Sequence, residues 1–158
     1  MRFSYLIMTG VPLMVYLVVP KIVTHFGGQS RRYRMTLIAA CLLFFVSYFV
    51  PSPYIHDVDT NFMGHLIGGG LFCGALWLYL KQSLGWKHVW WQEIATIYAL
   101  TCALGVFNEL FEVVLYELHA PMMKTIADTS YDLVANTLGA GLFYLGYWIY
   151  HRYDRRHR

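Results

Sequence analysis

Residues 3–20, 35–50 and 61–80 contain no Asp, Glu, Lys or Arg. Two further stretches, 92–118 and 131–150, are nearly as apolar. Crossing the hydrocarbon core of a bilayer takes about 20 such residues at a helical rise of about 1.5 Å each. A chain that is 58% hydrophobic and 13% charged, with its charges pushed between apolar runs, points to a membrane protein rather than a large soluble core. The expected fold is all-α: a polytopic membrane helix bundle of about five transmembrane helices, with residues 1–158 forming one domain. Pro12 marks a kink within the first span, Pro51 and Pro53 end the second, and Pro121 stops the fourth. The N-terminal apolar run resembles a signal peptide in having one Arg before it. It lacks a clear small-residue cleavage site, so retention as a transmembrane helix is expected.

Orientation follows from the basic residues. Lys21, Arg31, Arg32 and Arg34 lie between the first two spans, and Lys81 and Lys87 between the third and fourth. Arg152, Arg155, Arg156 and Arg158 form the tail, so ten of the twelve Lys and Arg fall on one side. That side is expected to be cytoplasmic, with the C-terminus inside, the N-terminus outside and an odd number of spans. The other side keeps Arg2 and Lys124 beside Asp57, Asp59 and Asp128. Trp86, Trp90, Trp91, Trp148, Tyr150 and Tyr153 fall near the inner boundary, and Tyr48, Tyr54, Tyr116 and Tyr131 near the outer one, as interfacial anchors. The net charge of +3 sits at loops and tail, which gives no nucleic-acid signature. Cys41, Cys73 and Cys102 each fall inside an apolar stretch and are expected to be free thiols behaving as small hydrophobes.

Against this background the polar residues inside the spans stand out. Residues 104–117 carry Asn108, Glu109 and Glu112 within an apolar run. A charged side chain at a helix centre costs about 2.5–3.5 kcal/mol on insertion scales, so each is a site candidate. Residues three or four apart share a helical face, which groups Asn108, Glu109 and Glu112. Given the topology, Glu112 lies roughly 9 Å and Glu109 roughly 13 Å from the outer end of their span. His65 lies about one turn below the outer end of the third span, and Asp128, Asp132 and Asn136 are spaced by four at the mouth of the fifth. His56, Asp57 and Asp59 occupy the adjoining outer loop. Three helices thus offer polar groups at one height. Gly68, Gly69 and Gly70 on one span, and Gly139 and Gly141 on another, allow close helix approach.

Structural roles also fit several of these residues. Asp132 completes a capping box with Thr129, Asp59 is an N-cap for the third span, and Asn136 is interhelical glue. His65 is open to a structural role, hydrogen-bonded to a carboxylate. Glu109 and Glu112 are hardest to explain that way, because two carboxylates one turn apart repel and neither Lys nor Arg reaches their depth. They need a proton, a cation, a basic partner or water.

The residues that stand out form a pattern: GH at Gly64–His65, NELFE at 108–112 and DTSYDLVANTLGA at 128–140. It resembles the VanZ-like superfamily of small polytopic bacterial membrane proteins, and especially its YjdF-like branch, over roughly residues 57–141. The resemblance implies a multi-pass protein of the bacterial inner membrane, with a site at His65, Glu109, Glu112, Asp128, Asp132 and Asn136. The Gln and Arg that follow the Glu in the founding VanZ pattern are absent here, so no glycopeptide-resistance role is carried over.

Two functional classes lead. In the first, an outward acidic and His pocket binds a divalent cation or the head group of a lipid or wall precursor, with His65, Asn108, Asp128, Asp132 and Asn136 as binding residues. Carboxylates suit hard cations, and His65, Glu109, Glu112 and Asp132 are the candidate ligand set. In the second, the protein is an intramembrane hydrolase or transferase, with or without metal, acting on a lipid-linked substrate through Glu109 and Glu112 as catalytic groups. A proton pathway would need polar groups in the inner halves, where Thr96 and Thr101 are the main ones. A structural subunit of an oligomer or larger membrane complex is the remaining class. The expected partners are membrane lipid and a lipid-linked envelope precursor, with no nucleic acid.

Overall fold

A computed structural model describes residues 2–55, 58–59, 61–117 and 126–154, with side chains left aside at 2–5, 55, 58–59, 115–116 and 126–128. Five helical rods account for nearly all of it. They are α1 (Arg2–His25), α2 (Arg34–Ser47), α3 (Phe62–Leu84), α4 (Trp90–Glu117) and α5 (Ile126–Asp154). A two-residue hairpin, β1 (Tyr54–Ile55) against β2 (Val58–Asp59), interrupts the link from α2 to α3.

Each helix matches an apolar run of the sequence, and most extend beyond the expected limits. α1 continues through Pro20 to His25, and α5 begins at Ile126 and ends at Asp154. α1, α3 and α4 contain segments long and apolar enough to cross a membrane. α2 has only fourteen residues, about 21 Å of helix. α5 is long enough, but Asp132, Asn136 and its glycines dilute its apolar surface. Three helices, rather than the expected five, therefore meet both criteria among the described residues.

α3 is the axis of the bundle. Half of its apolar window is buried inside the protein, against 11% for α1 and 17% for α4. On one side, Phe72, Cys73, Leu76 and Tyr79 pack with Val23 of α1 and Leu37 and Ala40 of α2. On the other, Trp77 packs with Ile97 of α4 and Ala140 of α5. α1 and α4 instead turn Leu13, Met14, Leu17, Phe107, Leu110 and Val113 outward. Side chains this apolar, left outside, suit hydrocarbon rather than water.

The sharp return from α3 to α4 is made at Gly85, whose φ of 66° is left-handed and whose N–H donates to the Lys81 carbonyl. At this end the α1–α2 loop is also tied down: the Gln29 N–H donates to the Ser83 carbonyl at 2.7 Å. α3 and α5 run parallel, as His65 meets Asp132 and Gly74 meets Phe143.

The first half of α3 is not a regular α-helix. After one turn at Phe62–Gly64, residues His65–Leu71 form a π-helix before α-geometry resumes at Phe72. The three glycines in it serve three neighbours. A side chain at Gly68 would meet Ser47 Oγ of α2, one at Gly69 would meet Asn136 Oδ1, and one at Gly70 would meet the backbone at Asn136 and Gly139. Gly139 in turn sits against the Leu66 carbonyl. α3 and α5 thus touch backbone to backbone, and the wider π turn places His65 beside α5. Such π segments are rare and often accompany functional sites.

Candidate functional site

The site is built outward from that glycine crossing. Gly69 on α3, Gly105 on α4 and Asn136 on α5 meet around the Asn136 carboxamide, with Gly105 close to its Nδ2. Four residues further along each helix, toward the same end, stand His65, Glu109 and Asp132. The antiparallel run of α4 and the parallel run of α3 and α5 make those three positions one layer. The convergence of three helices is a consequence of register.

His65 Nε2 lies 3.2 Å from Asp132 Oδ1, with 12% and 3% of the two side chains exposed. A carboxylate buried this deeply is costly without polar neighbours, and the His65 imidazole is one of them. The pair fixes the orientation of the imidazole, which a lone histidine in an apolar wall would not have. Asn136, 6% exposed, forms the floor beneath, and its Oδ1 has no hydrogen-bond partner among the described residues.

Glu109 reaches across to α5, where the Thr129 hydroxyl donates to its Oε2 at 3.1 Å. Glu112 accepts from Asn108 Nδ2 on its own helix at 2.6 Å, and acts electrostatically on Tyr48 at the end of α2. The acids therefore fall into two neighbouring groups. Glu109 and Asp132 are bound to the α3–α5 layer, and Glu112 turns along α4 toward α2.

Several expectations change. Thr129 lies inside α5, which begins at Ile126, and its hydroxyl goes to Glu109, so Thr129 and Asp132 do not form a capping box. Asn61, with a left-handed φ of 46°, holds the cap position of α3 that was expected of Asp59. Asp59 falls in β2, and the side chains of Asp59 and Asp128 lie outside those described, as do residues His56, Asp57, His119 and Lys124 entirely. His65, Glu109, Glu112 and Asp132 do not gather as one ligand set: among the described residues no three of His, Cys, Asp and Glu are placed to hold a metal ion. The three cysteines are free thiols.

A second polar centre, at the opposite end of α3, was not singled out in the sequence. Lys81 is ion-paired with Glu93 of α4 and hydrogen-bonded to Tyr147 of α5. Its ammonium also stands over the rings of Trp77 at 5.2 Å and Tyr147 at 4.8 Å. Tyr144 donates to Glu93 Oε2 at 3.2 Å, and Trp77 Nε1 donates to Thr96 Oγ1 at 2.9 Å. The sequence pattern places Lys81 in the loop between the third and fourth spans, whereas it lies within α3. A signal was present: Lys81 stands three residues before the end of α3 and Glu93 three after the start of α4, so the antiparallel return brings them to one height. Every member is engaged with another, so the cluster reads as a clamp on three helices. Thr96 and Thr101, the expected stepping stones of a proton path, are likewise committed: Thr96 Oγ1 lies 2.8 Å from the Gln92 carbonyl, and the Thr101 hydroxyl donates to the Ile97 carbonyl.

Comparison with protein-family models, with curated proteins and with solved structures returns no match for this chain.

Proposed function

We propose that this protein is a multi-pass component of the bacterial inner membrane that binds the polar head group of a lipid or lipid-linked envelope precursor. In this reading α2 and α5 join the three long apolar helices as membrane-embedded elements. The N-terminus lies outside, the basic tail lies in the cytoplasm, and the His65 layer opens toward the outer face. The resemblance to the VanZ-like superfamily, and its YjdF-like branch, belongs to the same proposal.

The observation that carries it is the buried His65–Asp132 pair on a π-helix, floored by Asn136 and flanked by Glu109 from a third helix. Polar groups at membrane depth are costly and persist where they face one another or a polar ligand. A head group suits the arrangement better than a bare divalent cation. Hard cations take six or more oxygen ligands, whereas the acids here are divided between separate partners. The test is the lipid that remains with the purified chain, identified by mass spectrometry. Wild type retains a defined lipid, and His65→Ala or Glu109→Gln loses it while remaining folded. Equal retention by all three would remove the site.

The pair also supports a second reading, an intramembrane hydrolase or transferase. An imidazole oriented by a carboxylate can take a proton from water or a hydroxyl, with Glu109 across the layer as the acid. Turnover of a lipid-linked substrate that disappears in Asp132→Asn, with lipid retention preserved, would promote this reading over simple binding.

A further inference from the structure

A groove opens between α4 and α5 at the Lys81 end of α3, away from the His65 layer. Its volume is about 470 Å³, within the roughly 300–1,000 Å³ of small-molecule sites. Gly141 leaves the floor open, since a Cβ there would come within 2.9 Å of the Tyr98 hydroxyl. Tyr144 forms one wall and is fixed from behind: its hydroxyl lies 3.3 Å from the Trp90 carbonyl and 3.2 Å from Glu93 Oε2. Trp90 and Trp148 make the rim, and Ile94 and Leu145 supply the rest of the apolar lining. From Gly141 to Trp148 the groove follows α5 for about 10 Å.

A cation stands at the rim. The exposed Arg152 lies one turn beyond Trp148 on α5, with its guanidinium 4.7 Å from the centre of that ring. Stacking uses the face of the guanidinium and leaves its edge donors to meet a phosphate. Arg152 makes no ion pair among the described residues. Asp154, two residues on, does not share its face of the helix. Glu93, behind Tyr144, is engaged with Lys81. Arg155, Arg156 and Arg158 follow in the sequence, so the charge at this end of α5 is positive.

We propose that this groove holds an anionic phospholipid, with an acyl chain lying along Gly141 and Leu145 and the phosphate beside Arg152. It is a second site, separate from the His65 layer, and neither depends on the other. Apolar walls held in place by Tyr144 suit a hydrocarbon chain, and the Trp rim suits the level of the head groups. Charge selects among lipids. A net negative head group complements Arg152 and the basic residues after it, and an Arg meets a phosphate with two parallel hydrogen bonds. A zwitterionic head group brings a second cation to a rim that already carries one, where the neighbouring acid Glu93 is taken by Lys81.

The test is native mass spectrometry of the purified full chain, titrated with phosphatidylglycerol or with phosphatidylcholine of the same acyl chains. The two share phosphate and tails and differ in net charge. Phosphatidylglycerol is expected to bind about fivefold tighter, the scale of one basic residue beside an anionic head group. Arg152→Gln, at an exposed position, should abolish that preference. Leu145→Trp fills the groove from a side chain that is 51% exposed, so the fold tolerates it, and should remove one bound lipid of either kind. Equal affinity of the wild type for the two lipids would overturn the proposal. So would a preference that survives Arg152→Gln, which would assign the selectivity to the tail. Lipid binding unchanged by Leu145→Trp would place the lipid outside the groove and overturn it as well.

Discussion

Replacing Gly70 by Ala tests the crossing on which the site is built. The added Cβ would lie 2.5 Å from the Asn136 carbonyl oxygen and from Gly139 Cα, and 2.8 Å from the Ala140 nitrogen. All three are backbone atoms, so no side chain can swing away. Moving the contact from 2.5 Å to the 3.4 Å of ordinary packing separates α3 from α5 by about 1 Å. Overpacking of this kind costs about 1–3 kcal/mol, and a rigid backbone-on-backbone contact belongs at the upper end. The same shift carries the His65–Asp132 contact from 3.2 Å to about 4 Å and loosens the pair. Gly146→Ala on the same α5 is the control. A Cβ there meets nothing within 4 Å, and Ala is favoured over Gly in a helix interior by about 0.5–1 kcal/mol. Thermal unfolding in detergent can be followed by the reactivity of Cys73, which is 2% exposed, after Cys41 and Cys102 are replaced by Ala. Gly70→Ala should unfold well below wild type, and Gly146→Ala at or above it. If the two variants behave alike, α3 and α5 do not meet as described.

The other predictions concern the two polar centres. His65→Ala takes a polar neighbour from the buried Asp132 and should cost about 1–3 kcal/mol, the scale for a buried polar group that loses a contact. His65→Leu combined with Asp132→Leu should cost less than the single change, and a double-mutant cycle in chemical unfolding measures the difference. Lys81→Met should destabilise the Lys81–Glu93 clamp by about 3 kcal/mol, with much of the loss restored by adding Glu93→Gln. Full loss in the double variant would mean that the pair contributes nothing through mutual neutralisation. Trp77→Phe removes the indole N–H bond to Thr96 and should cost about 1 kcal/mol in the same assay.

Much of this architecture is legible in the chain, for a physical reason. Apolar runs and their Pro and Gly boundaries are local signals, and all five runs became helices. Spacing by four placed Asp132 and Asn136 on one face of α5, and the structure puts both against α3. What escaped depends on how one helix lies on another. The π-helix is a register choice made by α3 when its glycines meet Ser47, Asn136 and Gly139, and periodicity alone does not encode it. The partner of Glu109 is Thr129, twenty residues away and on another helix. Thr129 looked like a cap because α5 was expected to start at Tyr131 rather than Ile126. Lys81 looked like an interfacial charge because a basic residue near a turn usually is one. Its burial follows from Glu93 and Tyr147 closing over it.

The central claim is that acids and a histidine from separate helices share one water-accessible layer on the non-cytoplasmic side. The most direct measurement is labelling by a membrane-impermeant maleimide, applied to cells expressing a variant free of Cys41, Cys73 and Cys102. Glu109→Cys in that background should label from outside, whereas Lys87→Cys, beyond the opposite end of α3, should label only after permeabilisation. Labelling of Lys87→Cys from outside with Glu109→Cys protected would contradict the account, as would a Glu109→Cys thiol that stays unreactive from both sides.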